Sequence, residues 1–126
     1  MIKASATLKE ALQIGVKTYR DLRKDSIPSG WERHHIFEKR FADRLGTNKY
    51  DMLSIAIPKE IHYKITDEVR KEIPRIKNYD DYTRDEIIEA HQRVYRKLYR
   101  NTNDADEEAV YEFLWEFSKT RQHTAN

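Results

Sequence analysis

One stretch constrains the fold more than any other. Met52-Leu53-Ser54-Ile55-Ala56-Ile57 is an apolar run of strand length, and Pro58 follows it at once. Proline suits the first position of a helix, and Ile61, Ile65 and Val69 then recur at helical spacing up to Pro74. Upstream, the breaker-rich Ile27-Pro28-Ser29-Gly30 precedes Trp31 to Phe37, which is rich in strand formers. Between the two runs, Glu38 to Leu45 reads as a short helix stopped by Gly46, and Asn48 to Asp51 as a polar connection. The central order is therefore strand, short connection with a helical turn, strand, helix.

The flanks read as helix. Thr7 with Glu10 forms a capping box, and Leu8, Leu12, Val16, Tyr19 and Leu22 follow at helical spacing until Ser26. Residues 74–82 read as loop. Thr83 with Glu86 forms a second capping box, opening a helix with Ile87, His91, Val94, Tyr95 and Leu98 on one face. Asn101 to Asn103 breaks it, and Asp104 caps a last helix striped by Val110, Phe113, Leu114 and Phe117. With 37% charged and 38% apolar residues, a core must come from such amphipathic stretches. The expectation is an α+β, mostly helical fold: one domain over 1–126, a core motif at about 29–75, and helical flanks at 7–26 and 83–122. No internal repeat or low-complexity segment is visible.

Several function classes drop out. No apolar stretch is long enough for a membrane span, and the N-terminus has no signal-peptide apolar region. Without cysteine there is no disulfide, thiolate zinc site or cysteine nucleophile, so a metal site must use His, Asp, Glu or Asn. No Gly-rich phosphate loop or Ser-His-Asp signature appears. Charge is uneven: the balance is +5 over residues 1–50, +1 over 51–100 and −4 over 101–126. The basic excess surrounds the point where a polyanion would need it, although charge runs are also ordinary solvated faces.

That point is the pair His34-His35, with His62 on the following helix. Imidazole titrates near neutrality and is the commonest metal ligand, so an adjacent pair offers one ligand and one general base together. Neighbours on a regular strand face opposite ways, so both serve one site only where the strand ends or is irregular. Alternatives stand beside this reading. The pair could be ordinary surface and half-buried histidines, and His62 a helix-surface residue between Glu60 and Lys64. His91 lies on an apolar stripe, where a satisfied core histidine is the default. His123 is close to the C-terminus and reads as incidental. Trp31, Phe37 and Phe41 read as core anchors. Tyr79, Tyr82, Tyr95, Tyr99 and Tyr111 read as helix packing, with a surface subset free to meet nucleic acid or a partner.

The runs Trp31-Glu32-Arg33-His34-His35-Ile36-Phe37-Glu38-Lys39-Arg40-Phe41 and Asp51-Met52-Leu53-Ser54-Ile55-Ala56-Ile57-Pro58-Lys59-Glu60-Ile61-His62 carry a resemblance. Here the chain resembles the HNH and endonuclease VII-like (ββα-metal) nucleases, above all the nuclease domains of bacterial polymorphic and contact-dependent toxins. A looser echo surrounds His91-Gln92-Arg93-Val94-Tyr95. The resemblance implies two antiparallel strands and a crossing helix around one divalent ion, whether Mg, Mn, Zn or Ni. It implies His34 and His62 as metal ligands, His35 as general base, and Arg33 or Arg40 as phosphate contacts. Asn48, Asp51 and Ser54 are candidates for the loop-bracing position. Thr66 stands where some relatives carry another histidine ligand, leaving His91 or Asp51 to complete the shell. The implied function is a metal-dependent endonuclease, DNA preferred, acting as a toxin effector domain. It would be secreted or delivered as part of a larger toxin, act in the target-cell cytoplasm and be met there by an immunity protein. An RNase on the same fold is one alternative. A non-enzymatic helical interaction module is another, favoured by the acidic last helix with Glu107, Glu108, Glu112 and Glu116.

Overall fold

A computed structural model describes residues 5–125. It is α+β and mostly helical, with α1 (Ala6–Ile14), β1 (Lys17–Thr18), α2 (Tyr19–Leu22), β2 (Trp31–His35), β3 (Leu53–Pro58), α3 (Lys59–Glu72), α4 (Arg84–Asn101) and α5 (Ala105–Lys119). The sheet is antiparallel in the order β1-β3-β2. β3 is buried on both faces from Leu53 to Ile57, with α1, α2 and α3 packed against it, which explains its unbroken apolar text. α3 starts directly from β3 and turns Ile61, Ile65 and Val69 inward, as their spacing requires. The core joins these residues to Ile87, Val94 and Tyr95 of α4 and to Val110 and Leu114 of α5.

The second capping box is present in both directions, Thr83 with Glu86, and Asp104 caps α5 by accepting from the Glu107 N–H.

The first flank differs from its sequence reading. The expected helix over 7–26 is two helices with a strand between them. Gly15 takes φ +105°, a conformation that side-chain-bearing residues avoid, and ends α1. The cap is Ser5, whose hydroxyl accepts from the Leu8 N–H at 3.0 Å, rather than Thr7. With the period broken, Leu8 and Ala11 are the buried pair and Leu12 faces solvent. Lys17 and Thr18 then pair with Ser54 and Leu53, giving a third strand in place of the expected two.

The connection at Glu38 to Leu45 is a single 3-10 turn, Lys39–Phe41, followed by turns up to Gly46. At the other end the helical flank stops at Lys119 rather than 122. The chain then returns to the sheet: the Leu53 N–H donates to the His123 carbonyl at 2.9 Å, and Met52 pairs with Thr124. His123 is accordingly held in place, its Nε2 also lying 3.0 Å from the Leu45 carbonyl oxygen. Among the described residues no helix is long and apolar enough to cross a membrane.

Candidate active site

His34 and His35 are the last residues of β2, opposite Ile55 and Ser54. They point to opposite faces, as strand neighbours must. His34 is directed towards α3 and α4, where its Nδ1 lies 3.0 Å from His62 Nδ1 and its Nε2 lies 2.8 Å from the Tyr95 hydroxyl. His35 stacks on Tyr19 with ring centroids 4.7 Å apart, and its Nε2–H donates to the Lys49 carbonyl at 3.0 Å. Because β2 ends here, both rings line one cleft of about 620 Å³, together with His62, Lys39 and Arg75.

Tyr95 fixes which nitrogen of His34 carries the proton. Its phenol donates its single hydrogen to the Ile36 carbonyl, since a carbonyl can only accept. Burial holds the phenol pKa well above the usual tyrosine value, with Glu38 adding to the rise, so the hydrogen stays in place. Towards His34 the hydroxyl oxygen must then accept, which puts the proton on His34 Nε2. The Nδ1 lone pair of His34 therefore faces His62 Nδ1.

His62 can answer in three ways. If it donates Nδ1–H to His34, its bare Nε2 faces the Glu32 carboxylate 3.6 Å away, lone pair against anion. If both nitrogens are protonated both partners are satisfied, but burial lowers its pKa and Glu32 and Glu38 offset that only in part. If the proton sits on Nε2, facing Glu32, two Nδ1 lone pairs meet at 3.0 Å and need a cation between them. Two ligands each about 2.0–2.1 Å from one ion stand about 3 Å apart when their bonds meet at a right angle. In that third state the donor set would fit a divalent ion, with Glu32 behind His62 and Tyr95 behind His34 as orienting partners. Among the described residues no group of three or more His, Cys, Asp and Glu side chains is arranged to hold a metal. Two imidazoles would thus leave the other positions to water or substrate oxygens.

The three rings are electrostatically suited to staying neutral. His34 is held well below the ordinary histidine pKa by burial, then by His62, His35 and His91. In His35 burial is again the largest influence, opposed by the bond to the Lys49 carbonyl and reinforced by Lys39, His62 and Lys49. Neutral imidazole is the form that binds a metal or takes up a proton. With His35 Nε2–H committed to Lys49, Nδ1 is its basic atom.

Other expected site residues turn out to hold the fold. His91 is fully buried and satisfied on both nitrogens: Nδ1–H donates to the Ile87 carbonyl at 2.8 Å and Nε2 accepts the Glu38 N–H at 3.0 Å. It has no lone pair left for a metal, and its role is to pin Glu38 at the cleft. Asp51 lies outside the cleft, bonded to Arg20 and, at 2.8 Å, to Asn48 Nδ2. Asn48 is the loop brace, its Oδ1 accepting from the Tyr50 and Asp51 N–H groups and so shaping the turn that presents the Lys49 carbonyl. Ser54 is buried opposite His35, with no side-chain hydrogen-bond partner among the described residues.

Arg40 borders the cleft, but its guanidinium donates to Glu38, to the Ile73 and Pro74 carbonyls and to the Tyr79 hydroxyl, clamping the end of α3. Arg33 donates to the Leu22 and Asp25 carbonyls, fastening the turn after α2. The exposed cleft cations without an ion-pair partner among the described residues are Lys39 and Arg75, both missed by sequence reading. Nothing in the one-dimensional pattern distinguishes them from other basic residues. Tyr95 and Glu32 were missed as orienting residues for the same reason.

No family model, curated protein or solved structure matches this chain.

Proposed function

We propose that this chain is a metal-dependent endonuclease of the ββα-metal kind, with DNA as its preferred substrate. One observation carries the reading. The Nδ1 lone pair of His34, locked by Tyr95 and Ile36, lies 3.0 Å from the Nδ1 of a histidine backed by a carboxylate, beside a third neutral histidine in a cleft with unpaired cations. In this role His34 and His62 hold the ion, which when bound would stabilise charge on the phosphate and on the departing oxygen. His35 Nδ1 takes the proton from the attacking water. The new bond forms between that water oxygen and phosphorus, and the bond from phosphorus to the leaving sugar oxygen breaks. Stacking on Tyr19 and the bond to Lys49 hold the imidazole in one orientation throughout. Lys39 and Arg75 draw the phosphate into the cleft. The resemblance to toxin nuclease domains supports an effector role, with an immunity protein as its natural inhibitor.

The test is cleavage of plasmid and of total RNA by the purified protein in Mg²⁺, Mn²⁺, Zn²⁺ or chelator. Plasmid nicking that needs metal is expected, and a folded His35→Ala variant should lose about 10²–10⁴-fold in rate. Wild-type turnover in that variant would remove His35 from the base position, and no cleavage under any condition would end the nuclease reading.

A further inference from the structure

We infer that Arg23, Lys49 and Tyr50 form a second phosphate-gripping surface, a ledge that holds the nucleic-acid backbone a few nucleotides away from the bond at His35. The inference rests on the nuclease reading for its occupant, and on a separate part of the surface for its support.

A line of rings leads from the cleft to this ledge. Tyr19 stacks on His35 at 4.7 Å, and Tyr50 follows at 6.2 Å from Tyr19. Around the Tyr50 ring stand three cations: Lys49 Nζ at 5.1 Å from its centroid, the Arg23 guanidinium at 5.4 Å and that of Arg20 at 5.9 Å. Arg20 is neutralised by Asp51. Arg23 and Lys49 are exposed and have no carboxylate partner among the described residues. Like charges gathered around one ring repel, and the arrangement is held by the ring's negative face and by the Asn48-braced loop. A polyanion would relieve that repulsion.

The spacing suits a duplex backbone. Phosphates of one strand advance about 3.4 Å per nucleotide along the duplex axis, so the two ring-to-ring steps span at most about three nucleotides. Lys39 and Arg75 line the cleft with His35, and Tyr19 joins His35 to the ring that carries Arg23 and Lys49. Lys49 links the two ends of the device: its side chain grips the backbone while its carbonyl orients the base. An acidic protein partner is the competing occupant, but continuity with the cleft favours one flexible polyanion lying on both.

The experiment measures binding of a short fluorescent DNA duplex by anisotropy, in chelator and across a salt series. The proteins are the full chain, its Arg23→Glu/Lys49→Glu double variant, and Arg96→Glu/Arg100→Glu, an equal charge change on exposed residues of α4. The ledge variant should bind about tenfold or more weakly, with a salt slope lower by about two, since each phosphate contact contributes about 0.9. The α4 variant should keep the wild-type slope. Should the glutamates impair folding, Arg23→Gln and Lys49→Gln singly should each lower the slope by about one. Equal slopes in ledge variant and wild type would overturn the inference, as would an equal loss in the α4 variant. Absence of DNA binding by the wild-type chain would overturn it too and leave an acidic protein as the occupant. DNA binding lost in the ledge variant, in a protein that never cleaves, would keep the ledge and discard the nuclease reading.

Discussion

Replacing Tyr95 by Phe removes one oxygen atom and isolates its effect on His34. The side chain is fully buried, and its hydroxyl is the link between the His34 Nε2–H and the Ile36 carbonyl. Phenylalanine fills nearly the same space, so the cost is electrostatic: a buried donor and a buried acceptor both lose their partner. Each unsatisfied group costs about 1–3 kcal/mol, and relaxation of a shared site brings the expected loss to about 2–4 kcal/mol. A second effect separates a metal-orienting hydroxyl from a packing one. Without Tyr95, the His34 proton is free to move to Nδ1, where it blocks the nitrogen facing His62. Loss of such an orienting partner typically weakens metal binding about 10–100-fold. The assay pairs urea denaturation in chelator with calorimetric titration of Zn²⁺ or Mn²⁺ into the folded variant, and nitrogen NMR of the imidazoles reports the tautomer. Lower stability with unchanged metal affinity and an unchanged His34 tautomer would refute the reasoning, leaving Tyr95 a packing residue.

Three further outcomes are expected. His34→Ala and His62→Ala should each weaken metal binding, and the double variant should lose little more than either alone; unaltered titrations in both would show that they do not share an ion. His91→Gln should cost about 1–3 kcal/mol, through strain on the Ile87 and Glu38 bonds, while the folded fraction stays active; a normal melting curve with activity lost would contradict this. Stability should also fall in acid. His34 and His91 have folded pKa values below the ordinary 6.5, mainly through burial, so below that pH the unfolded chain binds more protons. The stabilisation is complete above about pH 6.5 and lost as pH falls towards the folded values, by up to about 1.4 kcal/mol per pH unit for each group. A urea midpoint that stays level from neutral to mildly acidic pH in chelator would show that these rings are not held neutral.

Much of this protein could be read along the chain, wherever local rules and tertiary packing agree. The Thr83–Glu86 box and the Asp104 cap are satisfied within one helical turn, so their sequence signals needed nothing from elsewhere. The same holds for Ile61, Ile65 and Val69, whose spacing alone selects the buried face of α3. The antiparallel pairing of β2 with β3 and the immediate start of α3 after Pro58 bring His34 and His62 together. The first flank misled because its apolar residues keep helical spacing across Gly15, while the backbone turns there to join the sheet. Its pairing partners are on β3, beyond the reach of any local pattern.

Tertiary structure decided the chemistry of each residue type. Arginine and aspartate in the sequence are equally a substrate contact or a clamp, and Arg40 and Asp51 became clamps because carbonyls, a carboxylate or a guanidinium stand within reach. His91 and His34 are both buried histidines. One has its two nitrogens consumed by the backbone, and the other has a lone pair turned towards His62 by a hydroxyl 61 residues away along the chain. Periodicity encodes which side chains leave water, because burial follows from position on a helix or strand. It does not encode where a buried proton points, because that depends on the partner the rest of the fold brings to the ring.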